Sequence, residues 1–301
     1  VAMFSWIDPN PLGSASIGQV HKAKLLDGRG VILKVVKPGN RELLRRDTIL
    51  LNLLGRFLQT FLERLQPRKV FKEFSEYTLR ELDLTREADN AETFAANFRD
   101  MPDVVFPKIF REFSGRDVLC MEFLDGYKPT AAATQELSEE QRAHLLDLGA
   151  ASIIRMLYRD GFFHADLHPG NLMILPGPKV GFIDLGMVGR FTEELKRSLM
   201  YYYYCLVMGD SENAARYLSM VAQTGRRGDV VGFRKEVEEI CRRWAKPSNF
   251  KEYPLAHLIL RSVAQGARYD MYFPVETVLM VKALVTFEGV GQILNPGFDA
   301  K

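Results

Sequence analysis

Cysteine is scarce in this chain: Cys120, Cys205 and Cys241 are the only three in 301 residues. An odd number at long spacings excludes a disulfide framework and a zinc ribbon, and reads as buried free thiols in a reducing compartment. Charge of one sign is equally thin. Forty basic residues against 38 acidic ones leave a net charge of +2, without the concentrated basic face that nucleic acid requires, so no nucleic-acid partner is expected. Long apolar runs are missing too. No uncharged apolar stretch reaches the roughly 18 residues of a membrane span; the longest candidate, 198–209, is too short and is bounded by Arg197 and Asp210. No signal-peptide pattern is present. The chain opens on Val1 without a methionine and soon reaches Trp6, which reads as the start of a fragment.

What is present is an ordinary globular composition, 47% apolar and 26% charged, on a chain long enough for a substantial core in one domain or two lobes. One stretch carries chemistry: FFHADLHPGNLMILPGPKVGFIDLGMVG at 162–189. His164, Asp166 and Asn171 follow H-x-D-x-x-x-x-N, and Asp184 stands in an Ile-Asp-Leu-Gly turn. Phosphoryl transfer uses this set: a carboxylate to orient the nucleophile, then an amide oxygen and a second carboxylate for Mg²⁺. The residues after Asn171 read as a strand and a Pro/Gly turn, and 180–183 as a second apolar strand delivering Asp184. Such a hairpin is expected to bring Asn171 and Asp184 close together.

Upstream, Leu12, Gly13, Ser14, Ala15, Ser16, Ile17, Gly18, Gln19 and Val20 form a small-residue loop and its flanks. Small residues let backbone N–H groups approach a phosphate, although a tight hairpin has the same composition. The loop is not a Walker A motif, because Gln19-Val20 stands where Lys-Ser/Thr is required, and it is not G-x-G-x-x-G. Strands are expected at 20–25 and 31–36, the second placing Lys34 toward the phosphates. Residues 40–66 show helical apolar spacing, read as a core-facing helix or pair of helices ended by Gln66-Pro67. A second long helix is expected over 70–98, containing ELDLTRE with Glu81, Asp83 and Glu87; Glu87 is the candidate partner that orients Lys34. Strands at 104–109 and 118–123 then place Glu122 to Leu124 for an adenine edge, with a lobe boundary at Asp125-Gly126.

Ser138 and Gln141 form a capping box that opens a helix running to Asp160 and stopped by Gly161. The small residues Gly149 to Ser152 predict close packing against another helix. Only Met187 to Phe191 separate Gly186 from the next helix, capped by Thr192. A peptide kinase needs a longer segment there, with an Ala-Pro-Glu-type anchor, and none is present. Helices fill the rest, at about 193–208, 211–222, 230–243, 254–269 and 275–293. The Tyr201 to Tyr204 cluster reads as packing within this helical part rather than a face for lipid.

At these residues the chain resembles the UbiB/AarF family of atypical kinases. PLGSASIGQVH resembles its alanine-rich replacement for the glycine-rich loop, ELDLTRE its E-x-D motif with the lysine-pairing glutamate, and HADLHPGN and DLG its catalytic and metal motifs. The resemblance spans essentially the whole chain. It implies an α+β, bilobal protein-kinase-like fold: a small β-rich N-lobe with a helical insertion over 1–125, and a helical C-lobe over 126–301. It implies Lys34 and Glu87 as the nucleotide-orienting pair, Asp166 as the catalytic aspartate, Asn171 and Asp184 as Mg²⁺ ligands, and Glu81 and Asp83 as the family's acidic motif. Implied cofactors are ATP (or ADP) and Mg²⁺. The implied function is a Mg-ATP-dependent kinase or ATPase supporting ubiquinone or other prenyl-lipid synthesis. It would be peripheral to the cytoplasmic side of a bacterial inner membrane, or in a mitochondrion or plastid, with a quinone precursor, the membrane surface and quinone-synthesis enzymes as partners. Two departures stand out: Gly13 and Ser14 stand where many members have alanine, and the family's K-x-G-Q motif, in an N-terminal extension, is absent.

Other readings compete. A small-molecule phosphotransferase of the aminoglycoside or choline kinase type shares H-x-D-x-x-x-x-N, but the long helical insertion between Lys34 and Glu87 and the E-x-D segment favour the UbiB type. A metallohydrolase built on His164, Asp166 and His168 needs further ligands, and His21, His144 and His257 offer no ligand-like pair. A non-catalytic lipid-binding module leaves the full catalytic set unexplained.

Overall fold

The computed structural model of the protein describes residues 3–14, 18–61, 82–245 and 255–295, with positions 68, 71, 72, 75 and 79. Of the expected site residues, Ala15, Ser16, Ile17 and Glu81 lie outside the described residues, as does most of 62–81, where the end of the first expected helix and the start of the second fall. The chain divides into two compact units, one formed by Val1–Asp125 and Ile183–Gly186, the other by Gly126–Phe182 and Met187–Lys301. The short piece containing Asp184, expected with the helical part, therefore belongs with the first unit.

The first unit is built on an antiparallel sheet. Strands β1 (Phe4–Ile7), β2 (Gly13–Ser14), β3 (Gly18–Leu25), β4 (Gly30–Val36) and, after β5 (Val104–Val105), β6 (Val118–Glu122) are ordered β1-β3-β4-β6, with β2 also on β3. Alternation along β4 sends Val31 and Leu33 to one face, where they close a core with Ala23, Leu25, Phe110 and Cys120. Lys34 falls on the other face, opposite Val20 on β3 and Leu119 on β6. Gly18 eases a close approach, since a Cβ there would lie 3.0 Å from the Val35 carbonyl oxygen, a tight contact. The strand expected over 104–109 shrinks to β5 because Pro107 has no N–H to give a ladder. Beyond it, Phe110 N–H donates to Cys120 and Glu122 N–H to the Lys108 carbonyl.

Helix α1 (Asn40–Gln59) departs from expectation. Its covered face runs through Leu44, Thr48, Leu51, Gly55 and Leu58, while Leu43, Ile49, Leu50, Leu53, Leu54 and Phe57 stay exposed. Apolar spacing reports an amphipathic face but not whether anything covers it, so the core-facing reading of that stripe does not hold. Helix α2 (Leu84–Asn97) begins at Asp83 rather than running through it. Asp83 is extended, and its carboxylate accepts from the Thr85 N–H at 3.2 Å and the Thr85 hydroxyl at 2.6 Å, an N-cap that ends any continuous helix over 70–98. Behind that cap, Glu87, Asn90, Ala91 and Phe94 form the buried face of α2, and Phe94 stacks on Phe106 at 5.1 Å.

The second unit is mainly helical. Helix α3 (Glu139–Ile154) carries the Ser138/Gln141 capping box, widens into a π-helical turn over Arg155–Asp160 and ends at Gly161 with φ 59°. Strand β7 (Phe162–His164) follows, then a 3₁₀ turn (Pro169–Asn171) and the hairpin β8 (Leu172–Leu175) and β9 (Lys179–Phe182), turned through Gly177. Strand β10 (Val188–Arg190) pairs antiparallel with β7, placing Val188 opposite His164. Thr192 caps α4 (Glu193–Val207), and α5 (Ser211–Val221), α6 (Val230–Trp244), α7 (Leu255–Ala264) and α8 (Val275–Leu294) complete the unit. A Cβ at Gly149 would lie 2.9 Å from the Phe287 ring, so the small residues of α3 do admit α8 closely. Tyr202 of α4 is buried, Tyr203 pairs with Tyr158 at 5.5 Å, and Tyr201 and Tyr204 are exposed, as helical periodicity demands.

By length and composition α8 is one helix long and apolar enough to cross a membrane. In the fold it packs on α7 and α3, and its buried residues include polar Thr277 and Glu288. The Glu288 carboxylate accepts the Ala256 N–H at 2.8 Å.

Candidate active site

The residues singled out from the sequence fall into two sets, one in each unit. In the first, β4 presents Lys34 and the first turn of α2 presents Glu87. The Lys34 Nζ donates to Glu87 Oε2 at 2.7 Å and to Asp184 Oδ1 at 2.9 Å. Lys34 is largely covered, Glu87 almost fully buried and Asp184 half exposed. Burial alone would lower the Lys34 ammonium; the charges of Glu87 and Asp184 overcome it and hold the lysine above its ordinary value. Asp184 adopts φ 55°, a left-handed conformation that costs a non-glycine residue about 1–3 kcal/mol and persists only where neighbours hold it. Two neighbours do so: Lys34 takes its carboxylate, and the Asn90 side-chain amide donates to the Leu185 carbonyl at 2.9 Å.

The second set sits on the loop between β7 and β8. His164 is fully buried, and its Nδ1 accepts the Asp166 N–H at 3.1 Å. The Asn171 Nδ2 donates to the Asp166 carbonyl at 3.0 Å, which ties the two ends of the motif together and leaves the amide oxygen for a cation. The carboxylate of Asp166 meets Lys282 Nζ from α8, 2.8 Å from Oδ1, and lies 3.6 Å from His168 Nε2 at Oδ2. The His168 Nδ1 accepts the Gly170 N–H at 3.0 Å, so Nε2 carries the proton of the neutral ring.

Other expected residues take structural positions. Gly13 and Ser14 pair with Val20 and Gln19, and Leu12 N–H donates to the Val20 carbonyl, so both described flanks of the loop form a hairpin. Glu122 and Phe123 spend their N–H groups on the Lys108 and Gly30 carbonyls, so of the adenine-edge segment only the Leu124 N–H makes no backbone hydrogen bond among the described residues. Asp83 serves as the α2 cap, with Arg116 at 3.9 Å. By donor chemistry alone, the Asp184 carboxylate in the first unit and the Asn171 amide oxygen in the second are each hard oxygen donors of the kind Mg²⁺ takes, and Mg²⁺ characteristically takes few protein oxygens and fills the rest with phosphate and water. Among the described residues no group of three or more His, Cys, Asp or Glu could hold a metal by itself.

The family model of the ABC1 atypical kinase-like domain matches residues 1–218, and that of the UbiB helical domain matches residues 237–299. The chain belongs to the ABC1/UbiB atypical kinase-like family. A probable protein kinase UbiB from Aliivibrio fischeri is 31% identical over 305 residues, covering 98% of this chain and 56% of the relative. An uncharacterized protein of Synechocystis sp. is 29% identical over 306 residues, covering 99% and 51% respectively. The chain thus spans about half the length of the curated relatives it matches. Among solved structures, Rv3197 of Mycobacterium tuberculosis, in a complex with erythromycin, aligns at TM-score 0.68 and 28% identity over 97% of this chain and 74% of its own. The fold is therefore kinase-like, with a β-rich first unit and a helical second one.

Two groups in these ABC1/UbiB sets escaped the sequence reading. Asn90 looks like any helix asparagine until its amide is seen on Leu185. Lys282 carried a signal that was available: between Glu276 and Glu288 it is the single charged residue of α8.

Proposed function

We propose that this chain is a Mg-ATP-dependent kinase or ATPase of the UbiB type that supports isoprenoid-quinone synthesis. The observation that carries the reading is the Lys34 ammonium held between Glu87 and Asp184, a largely buried cation aligned by one carboxylate and shared with a second. Lys34 aims positive charge at the nucleotide phosphates, and Glu87 orients it from α2 while Asp184 shares it. Asp184 and Asn171 each offer an oxygen to Mg²⁺, which when bound supplies charge neutralisation along the phosphates. Asp166 orients the attacking oxygen and accepts its proton as that oxygen bonds to the γ-phosphorus and the bridging oxygen leaves with ADP.

A small or lipid acceptor, or water, suits the site better than a peptide. Only Met187 to Phe191 lie between Gly186 and the Thr192 cap, and Val188 to Arg190 of these are committed to the ladder with β7. No length remains for a peptide-holding segment. The protein would work as a peripheral membrane protein on the cytoplasmic side of a bacterial inner membrane, beside a prenyl-lipid precursor and its enzymes.

The test is phosphate release by the full-length protein from Mg-ATP, with and without prenyl-lipid head-group analogues. Hydrolysis that needs Mg²⁺ and rises with the analogue supports the proposal. Absence of nucleotide binding overturns it, and efficient transfer to a peptide panel overturns its acceptor class.

A further inference from the structure

The ABC1 domain model ends at residue 218, yet the carboxylate of Asp166 is held by a residue well beyond it. Lys282 lies in the segment matched by the UbiB helical domain. Its neighbours on α8, Met280, Val281 and Ala283, are buried, so packing fixes where along the helix the lysine emerges. Its Nζ reaches Asp166 Oδ1 at 2.8 Å and Met187 Sδ at 3.6 Å. Met187 is tied to the catalytic loop as well, since its carbonyl accepts the Ala165 N–H at 2.9 Å. The lysine therefore caps the end of the β7–β10 ladder where the loop departs.

Stability does not account for this placement. The Lys282 side chain is 43% exposed and that of Asp166 25%, and an ion pair so open to water contributes little to folding. The pair instead divides the two carboxylate oxygens. Oδ1 is occupied by the ammonium, while among the described residues Oδ2 faces only His168 at 3.6 Å, beyond hydrogen-bond length. One oxygen is clamped and the other is presented.

We propose that Lys282 is a positioning residue for phosphoryl transfer: it clamps Asp166 Oδ1 so that Oδ2 receives the proton of the attacking oxygen, and the helical domain thereby completes the catalytic loop of the kinase-like domain. The inference rests on the phosphotransferase reading above and on the role of Asp166 in it.

The experiment compares full-length wild type with K282M, K282R, D166N and the K282M/D166N double variant, measuring kcat and KM for ATP hydrolysis, Mg-ADP affinity by titration, and thermal unfolding. K282M should lose about 100-fold in kcat, the scale of a misaligned general base, with KM and Mg-ADP affinity within about twofold. K282R should recover most of the rate, and the double variant should match D166N, because two residues acting through one carboxylate are not additive. K282Q replaces K282M, with the same expectations, if the latter unfolds. A wild-type kcat in K282M, a loss seen only in Mg-ADP affinity, or losses that add fully to D166N overturn the role of Lys282 alone. A wild-type protein that neither binds nor hydrolyses Mg-ATP overturns the phosphotransferase reading, and this role with it.

Discussion

Each unit contains a lysine that holds a carboxylate, and the two pairs differ in their surroundings. Lys34 and Glu87 are 18% and 6% exposed, under α2 and against the sheet. Lys282 and Asp166 are 43% and 25% exposed, at the end of a strand ladder. Removing one partner of a buried pair strands the other without water, whereas an exposed pair can be broken at little cost to the fold. Under the proposed phosphotransferase reading, the buried pair would couple stability to nucleotide chemistry, and the exposed pair would carry chemistry nearly alone.

The sharpest break of this contrast lies at Asp166. D166N should lower ATP turnover by about a thousandfold while leaving Mg-nucleotide affinity and melting temperature close to wild type; retained phosphate release would refute its role. At the buried pair, K34M should lose nucleotide hydrolysis and also about 3 kcal/mol of folding stability, by urea unfolding, because Glu87 stays buried without its nearest cation. Lys34 is held above its ordinary value, so its contribution is complete below about pH 10 and fades only as pH rises beyond. The gap between wild type and K34M should then be flat from pH 7 to 9, and a gap that shrinks over that range would contradict the ion-pair account.

The two longest helices offer a second contrast, since both are rich in apolar residues and only α8 buries them. V281A on α8 should cost about 2 kcal/mol, and L53A on exposed α1 no more than about 0.5 kcal/mol. Equal costs would mean that the α1 stripe is covered in solution. The smallest effect is expected at Glu288. Burial raises its carboxyl above the ordinary range, against the pull of the Ala256 N–H and His257. An acid raised in this way stabilises the fold while protonated and loses that contribution as pH rises through the raised value. E288Q keeps an oxygen for the Ala256 N–H, so its melting temperature should gain on wild type by about a degree or two between pH 4 and pH 7; a constant difference would argue against a raised carboxyl.

Much of this architecture is readable from local patterns. The Ser138/Gln141 box and Thr192 mark helix starts because a cap is a contact between near neighbours, and α3 and α4 begin where those residues stand. Strands β3 and β4 follow from alternation, and the β8–β9 hairpin from apolar pairs flanking a Pro/Gly turn. Local rules also misled in places. The spacing of ELDLTRE is helical, yet Asp83 stands outside α2 and starts it as its N-cap, since an aspartate competes for backbone N–H groups wherever it can.

The family motifs, their order and their residue types were all present in the chain itself, because a motif is written in residue types at short spacings, which are set before any long-range contact forms. The partners were decided by folding. Lys34 meets Asp184 across 150 residues of sequence, Asn90 anchors Leu185, and Lys282 reaches Asp166 from the last helix. Periodicity shows that a helix has a face but not which element will cover it, so α1 and α8 could not be told apart in advance. Only long-range packing brings such side chains within the 3 Å or so over which a charge can hold a carboxylate in place.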